Sequence, residues 1–273
     1  MSDQAENLRQ LAITAPPTVR EALTTRPMIV VTGAKVGVGA TTAAVNLGAV
    51  LADSGLRTML IDAASAHANM AQVAGIHVLP SKAPTLRPGP GGALLLAAGA
   101  DQPHEVAESR RAQRRWLAEI QARHEDTDVV VLDTGSGLSP TIRRFWRQAR
   151  LILVVTTPDD AAVMDCYAAI KFAAADDLEA DIRVLVNRCD QIATAEKVIA
   201  RISTACQRFL GRPVTAAPSL PPHFPKFEGL PKAPRVWETP DSLFGHAAHW
   251  LGRAAIDALA TSTVAAEGCR TAA

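Results

Sequence analysis

Short apolar runs alternate along this chain with longer segments of helical periodicity. Met28–Thr32, Arg57–Ile61, Ala93–Ala98, Asp128–Leu132, Leu151–Thr156 and Ile182–Val186 read as strands. Several are near-continuous Val, Ile and Leu, the pattern of strands buried on both faces of a parallel sheet. Thr41–Asp53, Glu105–Arg123, Ala161–Ala175, Ala193–Phe209 and Ser242–Leu259 read as helices. This strand–helix rhythm predicts an α/β fold with a doubly wound, mostly parallel sheet.

Three stretches break the rhythm. Residues 1–13 read as a short helix, followed by the breaker Pro16-Pro17 and a polar link to the first strand. Residues 79–92 are rich in Pro and Gly and read as a surface loop or insertion. Residues 213–240 hold eight prolines and read as ordered loop draped over the domain. The residues after Ala260 are small and polar and read as a frayed tail. The expected organisation is an N-terminal segment over 1–25, one domain over 26–260 and a flexible tail over 261–273.

Composition narrows the class. At 273 residues the chain is long enough for one domain with a full core. Hydrophobic residues make up 48% and charged residues 20%, as in soluble globular proteins. A net charge of +1 gives no overall field to hold the chain on nucleic acid or an anionic membrane. Four cysteines without a C-x-x-C pair suit a reducing cytoplasm and argue against a disulfide framework or a zinc site. The N-terminus is polar and acidic with no apolar segment behind it, and no apolar run is long enough to span a bilayer.

The segment from Val30 to Thr42, Val-Val-Thr-Gly-Ala-Lys-Val-Gly-Val-Gly-Ala-Thr-Thr, joins a predicted strand to a predicted helix. Such a turn aims backbone N–H groups and a helix N-terminus at an anion. The P-loop pattern for this task is G-x-x-x-x-G-K-[ST], whose lysine reaches the β- and γ-phosphates. Here its fixed positions read Ala34, Gly39, Ala40 and Thr41, so the lysine is absent. The alternative reading is a strand–helix turn without a ligand.

Aligned without a gap, the segment resembles the deviant P-loop of the MinD/ParA superfamily, K-G-G-x-G-K-[ST]-[ST]. Lys35, Gly37, Gly39, Thr41 and Thr42 match, while Ala34, Val36 and Ala40 depart. The resemblance implies ATP and Mg2+ as ligands and the P-loop NTPase form of the fold. It implies that Gly33, Lys35, Gly37, Val38, Gly39, Thr41 and Thr42 surround the phosphates. It also implies that Lys35 is the signature lysine, which crosses a dimer interface to the partner's nucleotide. Leu132-Asp133-Thr134-Gly135 resembles the family's Walker B and switch II, which makes Asp133, with Thr41, the holder of the magnesium shell. Ile61-Asp62 to Asn69 resembles its switch I, D-x-D-x-G-x-x-N. Asp62 and Asn69 match, but Ala64 replaces the aspartate that positions the attacking water, and Ala66 replaces the glycine. His67 lies beside them and reads as a solvated loop residue. Asn187-Arg188 resembles the strand end that contacts adenine. The catalytic set implied is therefore Lys35, Asp62 and Asp133.

The departures have a size. A hydrogen bond to a charged group contributes roughly 1.5–3 kcal/mol, so losing the lysine weakens phosphate binding by about tenfold to a hundredfold or more. A chain without that charge and without water placement lacks two main terms of phosphoryl transfer.

The N-terminus narrows the branch. Asp3, Gln4, Ala5, Leu8 and Arg9 match D-Q-A-x-x-L-R, the N-terminal motif of the flagellar regulators of the FlhG (FleN, YlxH) family. The resemblance implies a protein that controls flagellar number and placement by stimulating FlhF, a GTPase of the signal-recognition type. Two rival expectations stand beside it. One is a working ATPase switch in which Lys35 takes over the lost lysine's role. The other is a ParA-like DNA-partition module using Arg143, Arg144, Arg147 and Arg150, for which a solvated helix carrying Phe145 and Trp146 is the plainer reading. In the last helix Leu243, Phe244, Trp250 and Leu251 offer apolar anchors, but Arg253 is the only Lys or Arg in residues 241–260. Core packing is therefore expected over peripheral attachment to anionic lipid at the inner membrane face.

Overall fold

The computed structural model describes residues 27–64, 70–77, 85–97, 126–138, 140–175, 180–222 and 235–270. The N-terminal segment, with Asp3, Gln4, Ala5, Leu8 and Arg9, lies outside them, as do Asn69 and the helix expected over Glu105–Arg123.

The described chain runs β1 (Met28–Gly33), α1 (Ala40–Asp53), β2 (Thr58–Asp62), α2 (Met70–Ala74), β3 (Thr85–Pro88), β4 (Leu94–Ala97), β5 (Val129–Ser136), α3 (Pro140–Trp146), β6 (Leu151–Thr156), α4 (Asp160–Ala175), β7 (Asp181–Val186), α5 (Ile192–Leu210), β8 (Thr215–Ala216) and α6 (Leu243–Arg270). The eight described strands form one sheet in the order β3-β4-β2-β5-β1-β6-β7-β8. All neighbours are parallel except β3 and β4. The six predicted strands are all present, and the sheet is the doubly wound one expected. The chain leaves β1 toward β2 on one side and later fills β6 and β7 on the other, so the strand order reverses beside β1. In open α/β sheets ligands bind at the carboxyl ends of strands at such a point.

The differences from the sequence reading are local. Residues 79–92 are not wholly loop: β3 pairs antiparallel with β4 across a short turn over Pro90–Gly92. Antiparallel edge strands need only one apolar face, so Pro88 is tolerated and the run is too short to stand out. The one-turn α2 and the two-residue β8 were also missed. The last helix continues past Leu259 to Arg270, through residues read as a polar tail.

Two apolar clusters fill the space on either side of the sheet. One joins the sheet to α3, α4 and α5, with Trp146 fully buried. The other joins it to α1, α2 and α6. Each large aliphatic side chain so buried contributes roughly 1.5–3 kcal/mol. Helix α6 belongs to this second cluster: Phe244, Ala248, Leu251 and Ala255 are buried, while Leu243 and Trp250 face outward. The expectation of core packing thus holds for half of the four anchors. No helix of the described residues is long and apolar enough to cross a membrane.

Helix α1 is buried almost all round, as expected of a helix covered on every side. A methyl at Gly48 would stand 2.3 Å from Leu60, and one at Gly252 of α6 would stand 2.5 Å from Val50. Asn46, 1% exposed, ties α1 to the proline-rich segment. Its Nδ2 donates to the Thr42 carbonyl at 2.7 Å, and its Oδ1 accepts the Val236 N–H at 2.6 Å. The described parts of that segment pack on the domain, with Val214, Ala217, Leu220 and Val236 buried. Asn46→Ala leaves the Val236 N–H without this partner, and a buried unsatisfied group costs about 1–3 kcal/mol. The expected result is a lower urea midpoint with an unchanged m-value; an unchanged midpoint counts against the tie.

Candidate phosphate and metal site

The site is assembled where β1, β2, β5, β6 and β7 end. After Gly33 the Ala34 N–H donates to the Val155 carbonyl of β6 at 2.8 Å, and the chain turns through Lys35–Gly39 into α1. Gly37 and Gly39 have φ of 85° and 89°, a region that side chains enter at a cost. Gly39 is constrained twice, because a methyl there would lie 2.4 Å from Nδ2 of Asn187. That Nδ2 donates to the Val38 carbonyl at 2.8 Å, and Oδ1 of Asn187 accepts the Arg188 N–H at 2.9 Å. Asn187 therefore braces the loop directly. Arg188 beside it is exposed and is the only non-glycine with positive φ (55°) among the described residues.

Position 40 begins α1. Ala40 is 8% exposed and packs in the core cluster around that helix, so a methyl stands where the P-loop pattern places an ammonium group. Lys35 does not substitute for it here. Its Nζ is 2.6 Å from Oδ1 of Asp159 in an ion pair exposed to solvent on both sides. Asp159 also accepts the Thr157 hydroxyl at 2.5 Å and the Ala162 N–H at 3.0 Å, which caps α4. These contacts, Lys35 first and Thr157 next, hold its carboxyl well below the usual carboxylate range. The pair screens readily and contributes little to stability. The sequence reading did not single out Asp159; an acidic residue at the start of a helix was the available signal.

Of the two carboxylates in the site, Asp133 is buried and Asp62 half-buried. Asp62 ends β2 and is the register partner of Asp133 on β5. Asp133 is fully buried. Its Oδ1 accepts the Gly135 N–H at 2.8 Å, while Oδ2 has no hydrogen-bond partner among the described residues. Burial raises its pKa, opposed by hydrogen bonds from the Thr41 hydroxyl and the Gly135 N–H. Asp62 accepts the Ala64 N–H at 3.2 Å and the Met70 N–H at 2.9 Å. Burial first, and then the charge of Asp133, push its pKa from 3.8 up to about 7. Ala64 is buried, and a methyl on Gly135 would approach its Cβ to 2.9 Å. The two segments that carry these carboxylates thus touch through small residues.

The raised pKa of Asp62 has a consequence for stability. The folded state holds its proton to higher pH than the unfolded chain, so stability declines as pH rises from about 4 to about 7. In the presence of a chelator, Asp62→Asn is expected to be more stable than the parent above pH 7, with the gain vanishing below the ordinary carboxylate range. Chemical denaturation across that range tests it; a gain independent of pH contradicts it.

The donor set suits one ligand better than the other. An orphaned buried carboxylate oxygen on Asp133, a second carboxylate and the Thr41 hydroxyl are hard oxygen donors of the kind Mg2+ prefers. Among the described residues no three His, Cys, Asp or Glu side chains converge on a metal, so phosphate or water oxygens would complete such a shell. The loop has the glycines and the helix N-terminus for phosphate but lacks the cation. When bound, Mg2+ would neutralise phosphate charge. Thr41 and Asp133 are the residues that would hold it. Gly33 to Thr42, Asp62, Asp133 and Asn187 all lie at this end of the sheet. Arg147 is exposed on the surface, while Arg143 and Arg150 are half-buried.

Comparisons with known proteins agree with this geometry. The model for the CobQ/CobB/MinD/ParA nucleotide-binding domain matches residues 29–228. The antiactivator FleN of Pseudomonas aeruginosa is 30% identical over 193 residues, which cover 67% of this chain and 69% of FleN. The flagellum site-determining protein YlxH of Helicobacter pylori is 27% identical over 183 residues, covering 63% and 62% of the two chains. The fold matches that of MinD from Pyrococcus horikoshii, solved in complex with Mg-ADP, with a TM-score of 0.59 at 20% identity over 83% of this chain and 94% of that one.

Proposed function

This chain belongs to the CobQ/CobB/MinD/ParA nucleotide-binding family, and on that premise we propose that it is a flagellar regulator of the FlhG kind in which ATP binding has been weakened or lost. Similarity to FleN and YlxH supports the branch. So does the match of Asp3, Gln4, Ala5, Leu8 and Arg9 to the motif through which such proteins act on an FlhF-type GTPase. In this reading the protein works in the cytoplasm, and the P-loop domain carries the N-terminal segment to its partner. The residues that would still touch a nucleotide are Lys35, Gly37, Val38, Gly39, Thr41 and Thr42, with Asn187 and Arg188 on the side of the base.

The observation that carries the loss is Ala40. Its methyl is packed in the core, and the loop's remaining lysine is engaged by Asp159. Calorimetric titration with Mg-ATP is the test. No binding, or binding no tighter than high micromolar, is expected; a low-micromolar constant overturns the reading. The rival, an ATPase switch run by Lys35, requires Nζ to leave Asp159. It predicts measurable turnover that Lys35→Ala abolishes. Nucleotide-driven dimerisation should likewise be weak or absent, since in the family the signature lysine links the dimer to its ligand.

A further inference from the structure

We propose that residues 235–242 act as a strap that couples the position of α6, the last helix, to the segment behind Asp62. The inference goes beyond the reading above and needs no nucleotide.

The strap is bound on three sides. Toward α2, Arg235 donates from Nε to the Val73 carbonyl at 3.0 Å and from Nη1 to Oε1 of Glu238 at 2.6 Å. Its guanidinium lies over Gly75, where a methyl would stand 2.9 Å from Nη2. Toward α1, the Val236 N–H meets Oδ1 of Asn46 at 2.6 Å. Toward α6, the strap first closes on itself: the hydroxyl and the N–H of Thr239 both donate to the Arg235 carbonyl. Ser242 then joins it to the helix. Its hydroxyl donates to the Thr239 carbonyl at 2.7 Å, and its Oγ accepts the Gly245 N–H at 3.0 Å. A methyl at Gly245 would collide with the Pro240 carbonyl, so strap and first turn meet without slack. Val236 is buried, and Trp237 packs against the apolar cluster that α1, α2 and α6 share.

The other end of this series of bonds reaches the site. Helix α2 begins at Met70, whose N–H is held by Oδ2 of Asp62 at 2.9 Å. It is therefore gripped at its front by Asp62 and farther along, at Val73, by Arg235. A helix of five residues is far too short to be stable alone, so its place is set by what holds it. A shift of the first turn of α6 carries Ser242, Thr239 and Arg235 with it and is felt at α2. Arg235 is in these terms a positioning residue that acts through the Val73 carbonyl. An arginine suits the task because its planar fork bonds a carbonyl and a carboxylate at once.

Hydrogen exchange of the full-length protein, read by mass spectrometry under native conditions, tests the coupling. Ser242→Ala breaks the joint between strap and helix. It should quicken exchange in the first turns of α6 and also in Met70–Ile76, by about fivefold, the weight of one helix cap. Arg235→Ala should quicken exchange in Met70–Ile76 by about tenfold, the value of a hydrogen bond from a charged group. In that background Ser242→Ala should still loosen α6 but add nothing at Met70–Ile76, because non-additivity is the mark of coupling. A merely structural Arg235 would give additive effects instead. Glu238→Gln, at an exposed position, frees Arg235 more gently and covers the case in which Arg235→Ala does not fold. It should loosen Met70–Ile76 to a smaller degree and blunt the response there to Ser242→Ala. No change at Met70–Ile76 in Ser242→Ala overturns the inference. So does a response that persists in full in the Arg235→Ala or Glu238→Gln background, or a uniform quickening that extends to α5.

Discussion

Replacing Ala40 by lysine is expected to tighten Mg-ATP binding by about tenfold to a hundredfold, the value of one hydrogen bond to a charged group, without giving family-like hydrolysis. The new ammonium would start from the first residue of α1, beside Asp62 and Asp133. It would compensate their buried charge as well as reach phosphate, so the decline of stability from about pH 4 to about pH 7 should flatten in the same variant. Turnover requires more, because binding alone does not place a water. Ala64→Asp would restore the carboxylate that does so in the family. On its own it should destabilise: Ala64 is buried against Gly135, and a third carboxylate would join two already short of compensation. Together with Ala40→Lys the cost should fall, and hydrolysis should appear only in the double variant. Calorimetry for binding and phosphate release for turnover separate the steps. Full turnover from Ala40→Lys alone would show that position 64 lacks the role given to it.

The second large effect concerns the N-terminus. A peptide of residues 1–20 is expected to stimulate GTP hydrolysis by the cognate FlhF-type partner. Asp3, Gln4 and Arg9 offer charge-assisted and amide hydrogen bonds, while Ala5 and Leu8 provide an apolar footing. An activating group supplied in trans accelerates GTPases by orders of magnitude. Gln4→Ala and Leu8→Ala should each remove most of the stimulation, and Asn7→Ala, at a variable position of the motif, should not. Because the segment precedes β1 and its loop, damage at Ala40 need not affect this activity. GTP turnover with no response to peptide or to whole protein, under conditions where binding is demonstrated, would remove the main support for the FlhG assignment.

The sequence showed the parts of this molecule whose chemistry is local. Continuous Val/Ile/Leu runs identified the buried parallel strands, because burial on both faces leaves no polar alternation to confuse them. The loop from Gly33 to Thr42 was legible from its glycines and from its lost lysine. Short elements were not: β3, α2 and β8 carry too few residues for a period to emerge. Contacts between distant positions were invisible for another reason. Nothing near Lys35 announces Asp159, 124 residues away. Nothing at Asn187 says that its amide will brace Val38. The seating of Ala64 on Gly135 likewise exists only once β2 and β5 lie side by side.

Helix α1 has obligations along its middle turns: Gly48 lets it meet Leu60, Val50 meets Gly252, and Asn46 holds Val236. The loop in front of it has fewer, and Val36 there is 68% exposed. Genetic drift should therefore treat the two unequally. Once selection for nucleotide turnover relaxes, exposed loop positions are free to wander, while the helix stays fixed because the whole second core depends on it. A library randomised across residues 34–53 and sorted for folded protein should return diversity at Val36 and near-uniformity at Asn46 and Gly48. A lineage can thus discard the enzyme and keep its scaffold, with the ancestry still written in the helix.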